Sequence, residues 1–233
     1  MLKYSISFFA LLFFPFSAMA QNENAVQDSI TFQEKYGLRI GGDLSKIVKT
    51  VIDDNYTGFE LNGDYRISKR LYVAGEIGTE EKTTTTPFLN STAKGSYFKG
   101  GVDFNLYRNW FGMDNMIYSG FRVGASTFTQ TLNSYTVFNT NQTFEQPTIT
   151  EGRDFSGLSA LWGELIIGIK AETFNNLFLG LNVQFKGLIS EKEPDNFENI
   201  YIPGFNRTYD SGSFGIGFGY NISYLIPLYK KDK

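Results

Sequence analysis

The ionisable side chains of this 233-residue chain form a pattern before any of them suggests a reaction. Arg39, Arg66, Lys99, Arg122, Lys170 and Lys186 recur with Asp43, Glu60, Asp64, Glu76, Asp103, Glu164 and Glu172 at positions that alternate with apolar residues. Lysine, arginine and carboxylates are nearly all the chain has for catalysis, because it contains no histidine and no cysteine. A histidine general base or triad member is therefore excluded, as are disulfides and thiolate metal sites. A Ser-Lys or carboxylate-only site needs a spacing that singles it out, and none does. These acids read as ion-pair partners, and no enzymatic activity is expected.

Metal and nucleotide chemistry find little more. Asp53-Asp54-Asn55 and Glu193–Glu198 are oxygen-rich stretches of the kind that can hold calcium, but EF-hand spacing is absent. The run Gly215-x-Gly217-x-Gly219 has no helix after it, so it packs a strand and cradles no phosphate. No metal and no cofactor is expected. A net charge of −3 gives no reason to expect nucleic acid as a partner.

Strands must hold the charged positions. Trp162–Lys186 shows how: Leu165, Ile167 and Ile169 alternate with Glu164, Gly168, Lys170 and Glu172. After Phe174-Asn175-Asn176, residues Leu177, Leu179, Leu181, Val183 and Phe185 alternate with Gly180, Asn182, Gln184 and Lys186. That is a β-hairpin with one apolar and one polar face. The same alternation predicts strands over Tyr36–Leu44, Thr57–Ile67, Arg70–Glu80, Gly95–Tyr107, Met116–Thr129 and Ser213–Ile226. Between them lie a loop at Lys46–Asn55, a turn at Ser68-Lys69 and a Thr-rich loop at Glu81–Lys94 broken by Pro87. Then come a turn at Arg108–Asn115 and long loops at Gln130–Gly157 and Leu188–Gly212.

The expected fold is all-β: an eight-stranded antiparallel up-and-down barrel over residues 35–229, its connections alternating long and short. Residues 1–20 have the layout of a secretory signal peptide, with Lys3, an apolar run Ile6–Phe16 and the small-residue end Ser17-Ala18-Met19-Ala20. Residues 21–34 read as a periplasmic tail and 230–233 as a charged C-terminal tail. Asp28-Ser29-Ile30 resembles a bacterial O-glycosylation acceptor, a tripeptide short enough to occur by chance.

Alternation alone leaves the inside undetermined, since a soluble lipocalin-like barrel also alternates but buries its apolar face. The glycines decide. Gly41, Gly101, Gly120, Gly124, Gly168, Gly180, Gly215, Gly217 and Gly219 all lie on the polar face, where a crowded lumen needs small residues and open water does not. The aromatics agree: Tyr36, Tyr65, Tyr107, Trp110, Phe111, Phe174, Tyr224 and Tyr229 fall near one set of strand ends, as an interfacial girdle requires.

Together these features resemble small bacterial outer-membrane β-barrels of the OmpA/OmpX type, closest in style to uncharacterised domain-of-unknown-function barrels of Bacteroidota. The resemblance covers Tyr36 to Tyr229 and departs at Lys-Lys-Asp-Lys, where such chains commonly end on an aromatic residue. It implies the outer membrane of a Gram-negative bacterium, with membrane lipid and lipopolysaccharide as partners and a monomeric state. The expected role is structural or interactive: envelope integrity, adhesion, or recognition of an extracellular protein or glycan. Tyr135, Phe138, Phe144, Phe155, Phe197, Tyr201, Phe205 and Tyr209 in the long loops suit such contact or pack on one another. The alternatives are a narrow channel for small solutes or ions and a soluble periplasmic barrel binding an apolar ligand.

Overall fold

The structure, a computed structural model, describes residues 33–107, 114–137, 147–150, 152–205 and 213–232. The leader-like segment, the Asp28-Ser29-Ile30 tripeptide, Trp110, Phe111, Phe138, Phe144 and Tyr209 lie outside the described residues. The elements in chain order are β1 Gln33–Asp43, α1 Leu44–Ile52, β2 Tyr56–Arg66, β3 Leu71–Thr85, β4 Leu89–Asn105, β5 Met116–Thr136, β6 Thr148–Ile149, β7 Arg153–Phe174, β8 Leu177–Glu191 and β9 Phe214–Asp232.

All nine strands belong to one antiparallel sheet in the order β4-β3-β2-β1-β9-β8-β7-β5-β6, and a further β4–β5 ladder closes it into a ring. The two-residue β6 pairs with β5 alone, at Tyr135↔Ile149 and Thr136↔Thr148. One end of the ring carries Gln33 and Asp232, paired to each other, with the 67–70 and 175–176 turns. The other end, termed distal here, carries α1, the β3–β4 hairpin, β6 and the described residues 192–205 that follow β8.

Polarity is inverted relative to a water-soluble barrel. Ile216 and Phe218 are 69% and 78% exposed, whereas Lys99 is 1% and Asp103 0% exposed. The period-two pattern thus places aliphatic and aromatic side chains outside on every ring strand and charge, amide and glycine inside. Gly124 shows why the interior needs glycine. It pairs with Trp162, and a Cβ added there would lie 2.3 Å from the indole ring. No helix among the described residues is long and apolar enough to cross a membrane.

Four departures from the sequence reading have physical causes. First, Lys46–Asn55 does not form a loop throughout, because α1 occupies most of it. Asp43 caps the helix by accepting from Ser45 N at 2.7 Å, and Leu44, Ile47, Val48, Val51 and Ile52 recur at helical spacing. Second, the Thr-rich segment is strand. β-Branched threonine favours a ladder, and Thr83 and Thr92 face each other with hydroxyls 2.9 Å apart. The β3–β4 connection shrinks to Thr86–Phe88 while β4 and β5 are separated by 106–115, so long and short connections do not strictly alternate. Third, the ring strands are longer than expected, reaching 22 residues in β7, because the distal ends of β5 and β7 continue into the presumed loop. Fourth, beside a shift in the β1–β9 register at which Leu228 of β9 is the extra residue, Tyr36 faces inward. That ring is 2% exposed, stacked on Tyr229 at 5.3 Å and covered by the Arg66 guanidinium at 4.5 Å, and it presents nothing to an interface.

Candidate functional site

The inward face gathers its charges into one connected chain. Arg39 Nε donates to Asp64 Oδ1 at 2.8 Å, and Lys170 Nζ reaches Asp64 Oδ2 at 2.7 Å and Asp103 Oδ2 at 3.6 Å. Arg122 continues it, with Nη2 2.8 Å from Asp103 Oδ1 and Nε 3.6 Å from Glu76 Oε1. Lys99 then joins Glu76 at 2.8 Å, Glu60 at 3.4 Å and Glu164 at 3.8 Å, and Lys186 meets Glu164 at 3.6 Å. Lys46, from α1, lies 3.8 Å from Glu60 and donates to Glu80. Alternating sign along the chain is what permits burial, since an unpaired charge here would face a desolvation cost of several kcal/mol. Aromatic faces help: Arg39 lies 5.0 Å from the centres of both the Tyr72 and Phe178 rings.

Apolar clusters accompany the charges. Tyr72, Met116, Tyr118 and Ile166 pack together beside Arg39 and Lys170. Distally, Tyr97, Phe128, Leu158, Ala160 and Trp162 receive Ile202 and Phe205 from the segment between β8 and β9. Within the charged zone, the spaces beside Arg39 and Lys170 measure about 10 and 20 Å³, room for one water each at most.

Glu80 fastens the distal cap. Besides Lys46 it accepts from Tyr56 Oη at 2.8 Å, Tyr201 Oη at 2.7 Å and Gly204 N at 2.8 Å, and Lys186 Nζ donates to Gly204 O at 2.7 Å. Gly204 has φ +81°, and a Cβ there would lie 2.5 Å from the Tyr97 ring, so only glycine brings the cap this close. Burial first, and then the Glu80 carboxylate, hold the Tyr201 phenol well above its ordinary pKa, so it stays a donor. Tyr201 and Phe205, read from sequence as loop aromatics that either meet a partner or pack on one another, are thus folded inward as a stopper.

Above the cap, an outer cleft of about 640 Å³ lies between the long β5–β7 hairpin and the segment after β8. Tyr135, Arg153, Phe155, Asp195, Asn196 and Phe197 contribute to its walls, with Phe155 and Phe197 stacked at 5.7 Å and Arg153 set 5.0 Å over Phe155. Aromatic faces beside amide and carboxylate oxygens, in a volume of this size, suit a small polar ligand or a loop of a partner.

Of the thirteen charged residues singled out from sequence, ten lie in the connected chain: Arg39, Glu60, Asp64, Glu76, Lys99, Asp103, Arg122, Glu164, Lys170 and Lys186. Arg66 instead pairs with Glu34 at 2.8 Å, and Glu172 with Lys35 at 3.1 Å, both toward the end with the termini. Asp43 has gone to the helix cap. Lys46 and Glu80 were missed, because both sat in segments read as loop or strand end; the helical spacing of α1 was the signal. Tyr107, Phe174, Tyr224 and Tyr229 are exposed at 38%, 73%, 51% and 41%, and Tyr65 is half-buried. Asp53 holds Lys82 at 2.8 Å and accepts from Asn55 N at 3.0 Å.

The fold and its interior define a closed antiparallel β-barrel with a charge-filled lumen. The chain belongs to the DUF6048 family, a domain of unknown function, whose match spans residues 1–231. A search of curated proteins gives no match. Among solved structures the chain is similar to that of Ail, the attachment invasion locus protein of Yersinia pestis, with 10% identity and a TM-score of 0.42 over 84% of this chain and 99% of that one.

Proposed function

We propose that the protein is an eight-stranded barrel of the outer membrane of a Gram-negative bacterium, its lumen sealed, acting through its distal surface in envelope integrity, adhesion or recognition. The observation that carries the reading is the inverted polarity: a continuous apolar exterior around ion pairs and glycine. Exposed in water, that exterior would be an aggregation hazard far beyond the patch of a few hundred Å² that soluble monomers tolerate. In a bilayer it meets hydrocarbon, with the backbone of the ring strands laddered to neighbours except at the β9–β2 seam beyond Gly42.

The termini then face the periplasm, and α1, the cap and the outer cleft face outward, among lipopolysaccharide and beyond it. The role is non-enzymatic, with the outer cleft meeting a glycan or a protein loop and a single chain forming the unit. The sealed lumen follows from the ion-pair chain and the Tyr201–Phe205 stopper, which support this reading over a channel. Cell fractionation tests the membrane assignment and planar-bilayer recording the seal. Solubilisation only with detergent and no steady openings are expected. Release by osmotic shock would overturn the first, and steady nanosiemens openings the second.

A further inference from the structure

The ring is not laddered over its full height. β1 stops at Asp43, paired with Asn221 of β9, and its last partner on β2 is Leu61, opposite Gly42. Beyond that level Phe214–Tyr220 of β9 pairs with β8 alone and Tyr56–Glu60 of β2 with β3 alone. α1 lies in the seam and packs on both strands. It is tied by side chains: Thr50 Oγ1 accepts from Gly58 N at 2.9 Å, and Asp43 Oδ1 accepts from Tyr220 N at 3.3 Å.

A cavity of about 550 Å³ opens at this seam. Its apolar lining is Val48, Ile52, Ile216 and Phe218, each at least half exposed. Phe218 pairs with Val183, which pairs with Ile167, so the mouth lies within the outward apolar belt. The polar lining carries five lysines against three carboxylates. Lys82 is held by Asp53, but the exposed Lys49 has no carboxylate within 4.0 Å among the described residues, and its ammonium lies 4.0 Å above the Tyr56 ring. An apolar cleft open to hydrocarbon and flanked by an unpaired, exposed cation matches one kind of ligand: an acyl chain with an anionic head.

We propose that the seam binds a phospholipid of net negative charge drawn sideways from the bilayer, one acyl chain on Val48, Ile52, Ile216 and Phe218 and its phosphate toward Lys49. This rests on the membrane assignment above.

Native mass spectrometry of the full chain in detergent, with added phosphatidylglycerol, tests the site. One retained lipid is expected, with phosphatidylcholine stripped more readily. Lys49→Glu should weaken retention about tenfold, the worth of one charge-assisted contact. Ile52→Trp, which fills the apolar half and leaves Lys49 intact, should also weaken it. Heat-modifiable gel migration confirms that each variant is folded. Equal retention by folded Lys49→Glu, equal retention of phosphatidylcholine, or binding of inorganic phosphate in place of lipid overturns the proposal. Detergent-free release of the wild-type chain from cells would instead fail the membrane assignment.

Discussion

Strands β9, β1 and β2 build one stretch of wall in two ways. Toward the termini, Leu38–Gly42 is laddered on both sides, to Leu61–Tyr65 and to Ile222–Ile226, and backbone satisfies backbone. Distally the same two outer strands part, and a nine-residue helix replaces the missing strand. The closed half can be dry and rigid because every donor has a main-chain acceptor. In the open half side chains bridge helix and sheet: Thr50 to Gly58, Asp43 to Tyr220, and Lys46 to Glu60 and Glu80. A barrel that interrupts its own ladder inside an apolar belt gives up local stability, and such low-stability regions are where binding sites are found.

The largest expected effect lies in the closed half. Asp64 is 6% exposed and holds both Arg39 and Lys170. Asp64→Ala leaves two buried cations short of a partner and should cost about 3–5 kcal/mol. Urea unfolding in lipid vesicles reads this directly. A loss below 1 kcal/mol would mean that water reaches the ion-pair chain and that the closed half is not dry.

The next effect sets wall against seam. Val183→Arg places a charge at mid-strand on the outward face of a fully laddered strand, at about 2–4 kcal/mol. Val51→Arg, on a helix side chain that is 78% exposed, should cost less than about 1 kcal/mol, since arginine there can snorkel toward the distal surface. Equal costs for the two would put Val51 as deep in the bilayer as Val183. Tolerance of Val183→Arg would reverse the assignment of faces.

How much of this was legible in sequence follows from which signals are periodic. Alternation in Trp162–Lys186 puts Ile167 and Glu164 on opposite faces without ambiguity, because a strand has no third face, and the strand glycines say which of the two is inside. The position of Gly124 against Trp162 was implicit in the crowding that strand glycine reports. Tyr36 was not legible, since the irregular register beside it, with Leu228 of β9 the extra residue, leaves no mark in composition. The distal cap escaped for a different reason. Tyr201, Gly204 and Glu80 are brought together across 121 and 124 residues, and no local pattern announces so distant a hydrogen bond. α1 was legible but outvoted, its helical spacing of Leu44, Ile47, Val48, Val51 and Ile52 hidden among polar neighbours in a segment expected to be loop.

The smallest effect probes the bridge itself. Asp43 serves both halves, accepting from Ser45 N as helix cap and from Tyr220 N on the far strand. Asp43→Ala removes both acceptors and should cost about 0.5–2 kcal/mol, the usual worth of a cap. The loss should be local, because the ladder below Gly42 does not involve the carboxylate. Amide hydrogen exchange should therefore quicken across α1 and at Tyr220, while Leu225 and Arg39, paired in the closed half, keep their protection. Asp43→Asn retains an acceptor oxygen and should restore most of it. Uniform quickening around the ring would mean that the two halves open as one unit, and that the helix is continuous in stability with the wall it completes.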